Sequence, residues 1–227
     1  MFTGFTDATV DFMWGIRFNN EKPWFEAHKE IYLKEFYQPM RDLGGEIYDF
    51  IAEKRPDYGL ISKVTRIYRD ARRLHGRGPY KECLWFSVEQ PFEQWASHPT
   101  FWFELGPDGW SYGLGYWMPK PATMAKLRRR IDRDPKTMEE LMQKLQAQEE
   151  FRLATLDYKK PRGEAPSEGL KPWYLAKSFS FSHEEQLTED LFSRNIVERL
   201  KKGFEFLLPY YDYFMTLEGE SEENLGT

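Results

Sequence analysis

Between Thr100 and Trp117 the chain alternates on either side of a turn sequence, and no other stretch limits the fold as much. Gly106-Pro107-Asp108-Gly109 separates two apolar runs, which predicts an antiparallel hairpin with strands over 100–105 and 110–117. In the second run Trp110, Tyr112, Leu114 and Tyr116 alternate with Ser111, Gly113 and Gly115. One face is therefore aromatic and the other nearly bare. A bare face lets another backbone, a helix or a ligand come close. Gly113 and Gly115 are read as serving packing or strand shape.

Further strands are expected over Leu60–Tyr68, Leu84–Val88 and Trp173–Phe181, with an edge strand at Phe151–Leu156. Helical periodicity brackets them. Thr6–Phe18 reads as a short helix that Asn19-Asn20 ends. Glu21–Phe36 carries Trp24, Phe25, Ile31, Tyr32 and Phe36 as a stripe, and Pro39 opens a separate helix with Met40, Leu43, Ile47 and Ile51 inward. Ala122–Arg133 follows, with Arg128-Arg129-Arg130 expected as a solvated face, and Asp134-Pro135 caps the next helix. The last helix runs from Ile196 to Phe214, and Pro209 is expected to kink or split it. The order is that of an α+β fold, an antiparallel-rich β-sheet covered by N-terminal, middle and C-terminal helices. One domain is expected over 1–218, followed by a flexible acidic tail over 219–227.

The stretch Lys63–Lys81 holds seven Lys or Arg among nineteen residues and one acid, Asp70. It begins as a β-branched run and ends in a glycine-flanked turn, Gly76-Arg77-Gly78-Pro79. Strand alternation turns either Arg66 or Arg69 towards a covering layer. A buried guanidinium needs a partner. Either a carboxylate answers it (Asp70, Glu82 or an acid on a helix) or it lines a cleft that accepts an anion. The net charge of −5 confines any anion site to a local patch and argues against broad nucleic-acid binding.

Other chemistry is sparse. There is no GxxxxGK[ST] loop and no dinucleotide fingerprint. One cysteine, Cys83, allows no intrachain disulfide and is read as a buried structural thiol. His28 lies on an apolar helix stripe and reads as a hydrogen-bonded core histidine. His98 and His183 have no ligand-spaced partner, so no metal site is expected. His75, beside Arg73 and Arg77, is a candidate acid–base group. No run approaches about 18 apolar residues, and the opening residues have no basic-then-apolar pattern. The expected address is the cytoplasm, with no membrane partner.

Several pieces together resemble a mainly bacterial family, the domain of unknown function 2461. They are Asn19-Asn20-x-x-x-Trp24-Phe25; Arg66-Ile67-Tyr68-Arg69-Asp70-x-Arg72 running into Pro79-Tyr80-Lys81; Gly115-Tyr116-Trp117-Met118-Pro119 before Leu127-Arg128-x-x-Ile131; and Leu175-Ala176-Lys177-Ser178. They occur in the family's order and extend to about Leu217. Family members usually carry a Phe-Ser-x-Asp-Lys-like run where this chain has Arg73-Leu74-His75-Gly76-Arg77-Gly78. The resemblance implies no established reaction. It does imply that the Asn-Asn/Trp-Phe helix and the Arg-Asp strand meet in one pocket.

The expected site is a cleft lined by Arg66, Arg69, Asp70, Arg72, Tyr80 and Lys81, facing Asn20 and Trp24. Its expected ligand is small and anionic or phosphorylated, and no cofactor is required. Two rivals stand beside it. One is an enzyme using Asp70 or His75 as acid–base group. The other is an interaction module that docks through hairpin 110–117, which requires an exposed apolar patch. The oligomeric state stays open.

Overall fold

The computed structural model describes residues 1–70, 72, 74, 76–91 and 98–217. His75 and the 219–227 segment lie outside them. Among the described residues six strands form one antiparallel sheet in the order β1-β2-β3-β4-β6-β5. They are β1 (Ile61–Val64), β2 (Leu84–Glu89), β3 (Thr100–Gly106), β4 (Gly109–Tyr116), β5 (Arg152–Asp157) and β6 (Ala176–Glu185). The helices are α1 (Asp7–Phe18), α2 (Lys22–Ile31), α3 (Gln38–Lys54), α4 (Pro121–Arg133), α5 (Pro135–Gln146), α6 (Lys171–Leu175) and α7 (Asn195–Met215). The expected hairpin is β3–β4, and the expected edge strand is β5, which lies at the sheet's end beside β6.

The chain divides into two compact units. The first comprises Met1–Val88, Trp102–Tyr112 and Glu184–Lys202; the second comprises Glu89–Phe101, Gly113–His183 and Gly203–Thr227.

In the first unit α2 and α3 are not separate helices. A π-helical segment, Tyr32–Tyr37, joins them without a break. Proline at position 39 has no N–H to give the carbonyl of Glu35. The chain widens there: the Gln38 N–H donates to the Leu33 carbonyl, five residues back. The Glu35 carbonyl accepts instead from the Thr9 hydroxyl of α1 at 2.5 Å. Thr9 is fully buried and is a polar tie between two helices. Met40, Leu43, Ile47 and Ile51 of α3 are buried as expected. Gly44 of the same helix lets Phe86 of β2 come close, since a Cβ there would lie 3.0 Å from the ring.

In the second unit the core is built from Met124, Leu127 and Ile131 of α4, Trp173 of α6, and Phe179 and Phe181 of β6. Tyr210 of α7 packs at a tilt against Phe181, with centroids 4.9 Å apart, and its hydroxyl donates to the Leu141 carbonyl at 2.7 Å. Three expectations are corrected here. Trp173–Leu175 is a helical turn rather than a strand start, because Pro172 sits in the first turn of α6 and suits it. Pro209, expected to kink or split α7, does not split it: the helix is continuous through it. Leu207, Tyr211 and Phe214 are all buried, and that burial offsets the roughly 3 kcal/mol cost of an interior proline. Arg128 and Arg130 are not a solvated face, being 8% and 9% exposed. Arg130 hydrogen-bonds the Tyr213 carbonyl and, at 2.9 Å, the Thr216 hydroxyl. It thereby caps the C-terminal end of α7, where a cation suits the helix dipole.

The bare face of β4 is explained by its neighbour. A Cβ on Gly113 would lie 1.9 Å from the Phe181 carbonyl oxygen of β6. A Cβ on Gly115 would meet the Trp117 indole at 2.6 Å. The aromatic face, Trp110, Tyr112 and Tyr116 with Leu114, is buried. That removes the exposed apolar patch on which the docking reading depends. Trp117, at 50% exposure, is the part of the 110–117 segment most open to solvent.

Candidate functional site

The basic stretch leaves the sheet earlier than expected. Strand β1 ends at Val64. Thr65 still donates its N–H to the Trp85 carbonyl at 2.9 Å, but its hydroxyl, not its carbonyl, faces the Trp85 N–H at 3.3 Å. A side chain that competes with the backbone in this way ends a ladder. The chain then pairs with its own return: Tyr68 bridges Tyr80 antiparallel. The Arg69 N–H donates to Pro79 at 2.8 Å and the Lys81 N–H to Ile67 at 2.7 Å.

Asn20 holds the return segment in place. Its Nδ2 donates to the Tyr80 carbonyl at 3.0 Å, and its Oδ1 accepts the Tyr80 N–H at 2.9 Å. Tyr80 is buried and stacks on Phe25, 4.3 Å between centroids. Burial pushes its hydroxyl pKa up, with Tyr68 and Glu26 adding to the shift. Trp24 lies one turn behind, stacked on His28 at 4.0 Å, and His28 Nδ1 hydrogen-bonds the Trp24 carbonyl at 2.8 Å. Asn20 thus supports the segment, whereas Trp24 packs on Phe12 and His28.

A cavity of about 440 Å³ opens beside this segment. Arg66, Arg69, Asp70, Arg77 and Lys81 line it, together with Thr65, Tyr68 and Trp85. Arg69 is the inward arginine, and Arg66 is exposed. Arg69 Nε donates to the Tyr80 carbonyl at 2.8 Å, while Glu82 lies 3.9 Å from its Nη2. The partner of the inward arginine is therefore chiefly a backbone carbonyl, which neither expected alternative named. Glu82 is instead held by Arg17. Asp70 takes two hydrogen bonds from the Arg72 guanidinium, at 3.1 and 2.9 Å, and one from the Arg72 N–H at 3.0 Å. Lys81 Nζ donates to the Arg66 carbonyl at 2.7 Å and sits 4.4 Å above the Trp85 ring. Burial pushes the Lys81 pKa down, and Arg69 and Arg66 push it further; Cys83 and Glu104 oppose.

Of the expected site residues, Arg66, Arg69, Asp70 and Lys81 border this cavity. Asn20, Trp24, Tyr80 and Arg72 do not border it: Asn20 and Tyr80 brace it through their paired hydrogen bonds, Trp24 packs on His28, and Arg72 engages its acid. Arg77, Tyr68 and Trp85 were missed. Alternation along β2 carried the signal for Trp85, since Leu84, Phe86 and Val88 are buried and Trp85 falls on the opposite face. A second cavity, about 590 Å³, lies where Arg17 ties Glu82 and Asp108 together, at 2.8 Å from Asp108 Oδ1. Cys83 and Glu104 both line it. Burial raises the Glu104 pKa and pushes the Cys83 thiol up to about 12, so Cys83 is no nucleophile near neutrality.

Residues 8–213 match the profile of a family described as conserved hypothetical protein, DUF2461. The chain belongs to this family. No curated protein matches it. The DUF2461 span contains the whole Asn20–Tyr80 clamp and every residue bordering the Arg66 cavity. The resemblance implied one pocket shared by the Asn-Asn/Trp-Phe helix start and the Arg-Asp strand; Asn20 and Arg69 both hydrogen-bond the Tyr80 backbone, but Asn20 and Trp24 do not line the cavity. The usual DUF2461 loop corresponds here to 73–78, of which Arg73 and His75 lie outside the described residues. Among the described residues no helix is long and apolar enough to cross a membrane, and no group of three or more His, Cys, Asp or Glu could hold a metal ion.

Proposed function

We propose that this protein binds a small anionic or phosphorylated ligand in the cavity bordered by Arg66, Arg69, Arg77 and Lys81. A charge imbalance carries the reading. Four cations border the cavity against one carboxylate, Asp70, which Arg72 already engages. Arg66 and Arg77 form no ion pair among the described residues. Burial lowers the Lys81 pKa first and Arg69 and Arg66 add to it, and an incoming anion would relieve that added repulsion. The guanidinium fork suits carboxylate and phosphate oxygens. Tyr68 and Trp85 offer apolar walls for the body of such a ligand. Asp70 is exposed and ion-paired, which favours binding over acid–base work by that residue.

A thermal-shift series with inorganic phosphate, nucleotides and dicarboxylates tests the proposal. A ligand at a hundred times its Kd stabilises by about 2.7 kcal/mol. Arg66→Ala and Arg77→Ala are expected to keep the ligand-free stability within about 0.5 kcal/mol and to lose most of the ligand-induced rise. Arg69→Ala also removes a charged hydrogen bond to Tyr80 and should lose about 1.5–3 kcal/mol before any ligand is added. If no anion raises the wild-type melting temperature, the proposal fails.

A further inference from the structure

Helix α4 buries an arginine among apolar residues. Met124, Leu127 and Ile131 are sealed, and Arg128 on the same helix is only 8% exposed. A guanidinium carries five N–H donors. Among the described residues the acceptor that Arg128 reaches is the Trp173 carbonyl, 3.4 Å from Nη1, a long and weak bond. Asp132, which acts on it electrostatically, already accepts the Tyr174 hydroxyl. No nitrogen of Arg128 is both shut off from solvent and unpartnered. Its unused donors therefore reach solvent rather than lying sealed in the core.

Two further cations belong to the segments next to it: Arg128 reaches the Trp173 carbonyl, and the next two carbonyls hold the Tyr158–Arg162 loop. The Arg162 guanidinium lies 4.4 Å over the Tyr158 ring, and Lys177 Nζ lies 5.2 Å over that ring. Tyr158 and Arg162 are tied by their N–H groups to the carbonyls of Leu175 and Tyr174, at 2.7 and 2.8 Å. Gly163 closes the loop at φ +127°, a left-handed conformation that favours glycine, with a Cβ position 3.3 Å from the Tyr174 ring. Burial lowers the Arg128 pKa and Arg162 adds to that, against Tyr158, Tyr174 and Asp132. The ring of Tyr158 accounts for Arg162 and Lys177 as cation–π partners. It does not account for the remaining Arg128 donors, which no acceptor among the described residues meets.

We infer that Arg128, Arg162 and Lys177 form an oxyanion site, which takes a carboxylate or phosphate group of a small ligand with Arg128 as the buried anchor. It is independent of the Arg66 cavity, all of whose residues belong to the other unit.

The test is an NMR titration of the full chain with inorganic phosphate and, separately, malonate, following the arginine Nε–H signals. The Arg128 signal should shift and saturate, in the Arg66→Ala variant as in the wild type. Arg162→Ala removes an exposed side chain and should weaken the Arg128 response by about tenfold. Arg128→Lys keeps the charge but loses the fork, and its chain should show no saturable response at Arg162. An Arg128 signal that stays still, or that saturates equally in Arg162→Ala, overturns the site. Failure of the Arg66 cavity would appear separately, as a wild-type response that Arg66→Ala does not change at any other arginine.

Discussion

The amide of Asn20 and the backbone of Tyr80, sixty positions apart, form a closed pair of hydrogen bonds at 3.0 and 2.9 Å. The contact imitates one rung of a β-ladder with a side chain in place of a strand. It leaves Gly78 no room for a side chain, since a Cβ there would lie 2.2 Å from Asn20 Oδ1. Asn20→Ala leaves the Tyr80 N–H unpaired and should cost about 1–3 kcal/mol by urea unfolding. Asn20→Asp loses the donor and sets a carboxylate against the Tyr80 carbonyl, so it should be no better than alanine. Equal stability of wild type and Asn20→Ala would show that the clamp contributes nothing.

Thr9 supplies the donor that Pro39 cannot. Thr9→Val keeps the shape but leaves the Glu35 carbonyl without the hydroxyl that meets it at 2.5 Å. The expected loss is about 1–3 kcal/mol. Thr9→Ser should recover most of it. Urea midpoints of the three proteins settle the comparison, and a valine variant as stable as wild type would remove the hydroxyl from the account of the π-helical segment.

Two glycines should respond with opposite sign. Gly113→Ala sets a Cβ 1.9 Å from the Phe181 carbonyl oxygen, and backbone gives way poorly. A loss of about 3 kcal/mol or more is expected, or failure to fold. Gly45→Ala meets nothing within 4 Å inside helix α3 and should gain about 0.5–1 kcal/mol. Thermal melts of both variants check the pair.

Cys83 carries a pH dependence. Its thiol is pushed up to about 12 by burial first, then by Glu104 and Glu82. An unfolded thiol titrates near pH 8.5, so the folded chain holds this proton more tightly. The corresponding stability is whole below about pH 8.5 and declines as pH rises towards the folded pKa. Stability curves should therefore fall in that alkaline window, and less so for Cys83→Ser. At pH 8 the folded thiol should react with a disulfide reagent at least about a hundredfold more slowly than free cysteine. Reaction at the free-cysteine rate would contradict the burial argument.

Periodicity made the elements legible. The alternation in 110–116 placed a strand whose aromatic face is buried, and the turn residues 106–109 placed the hairpin, because these signals depend on neighbours two to four positions away. The buried arginines escaped that logic. Arg128 and Arg130 read as a charged run, yet one is anchored among α4's apolar neighbours and the other caps a helix eighty positions later. Arg77 and Trp85 were likewise missed at the cavity, because each enters it through a turn or a strand face whose partner lies elsewhere in the chain.

The sequence by itself determined an α+β chain, an antiparallel hairpin, a basic stretch between Lys63 and Lys81, and membership of one family. Only the tertiary structure decided what meets the charge. Arg69 turns inward to a backbone carbonyl, Asp70 is taken by Arg72, and Arg66 is left on the rim of a cavity. The physical reason is range. Helix and strand periods are written in adjacent residues, whereas the partner of a charged side chain is set by contacts made only after the chain has closed on itself.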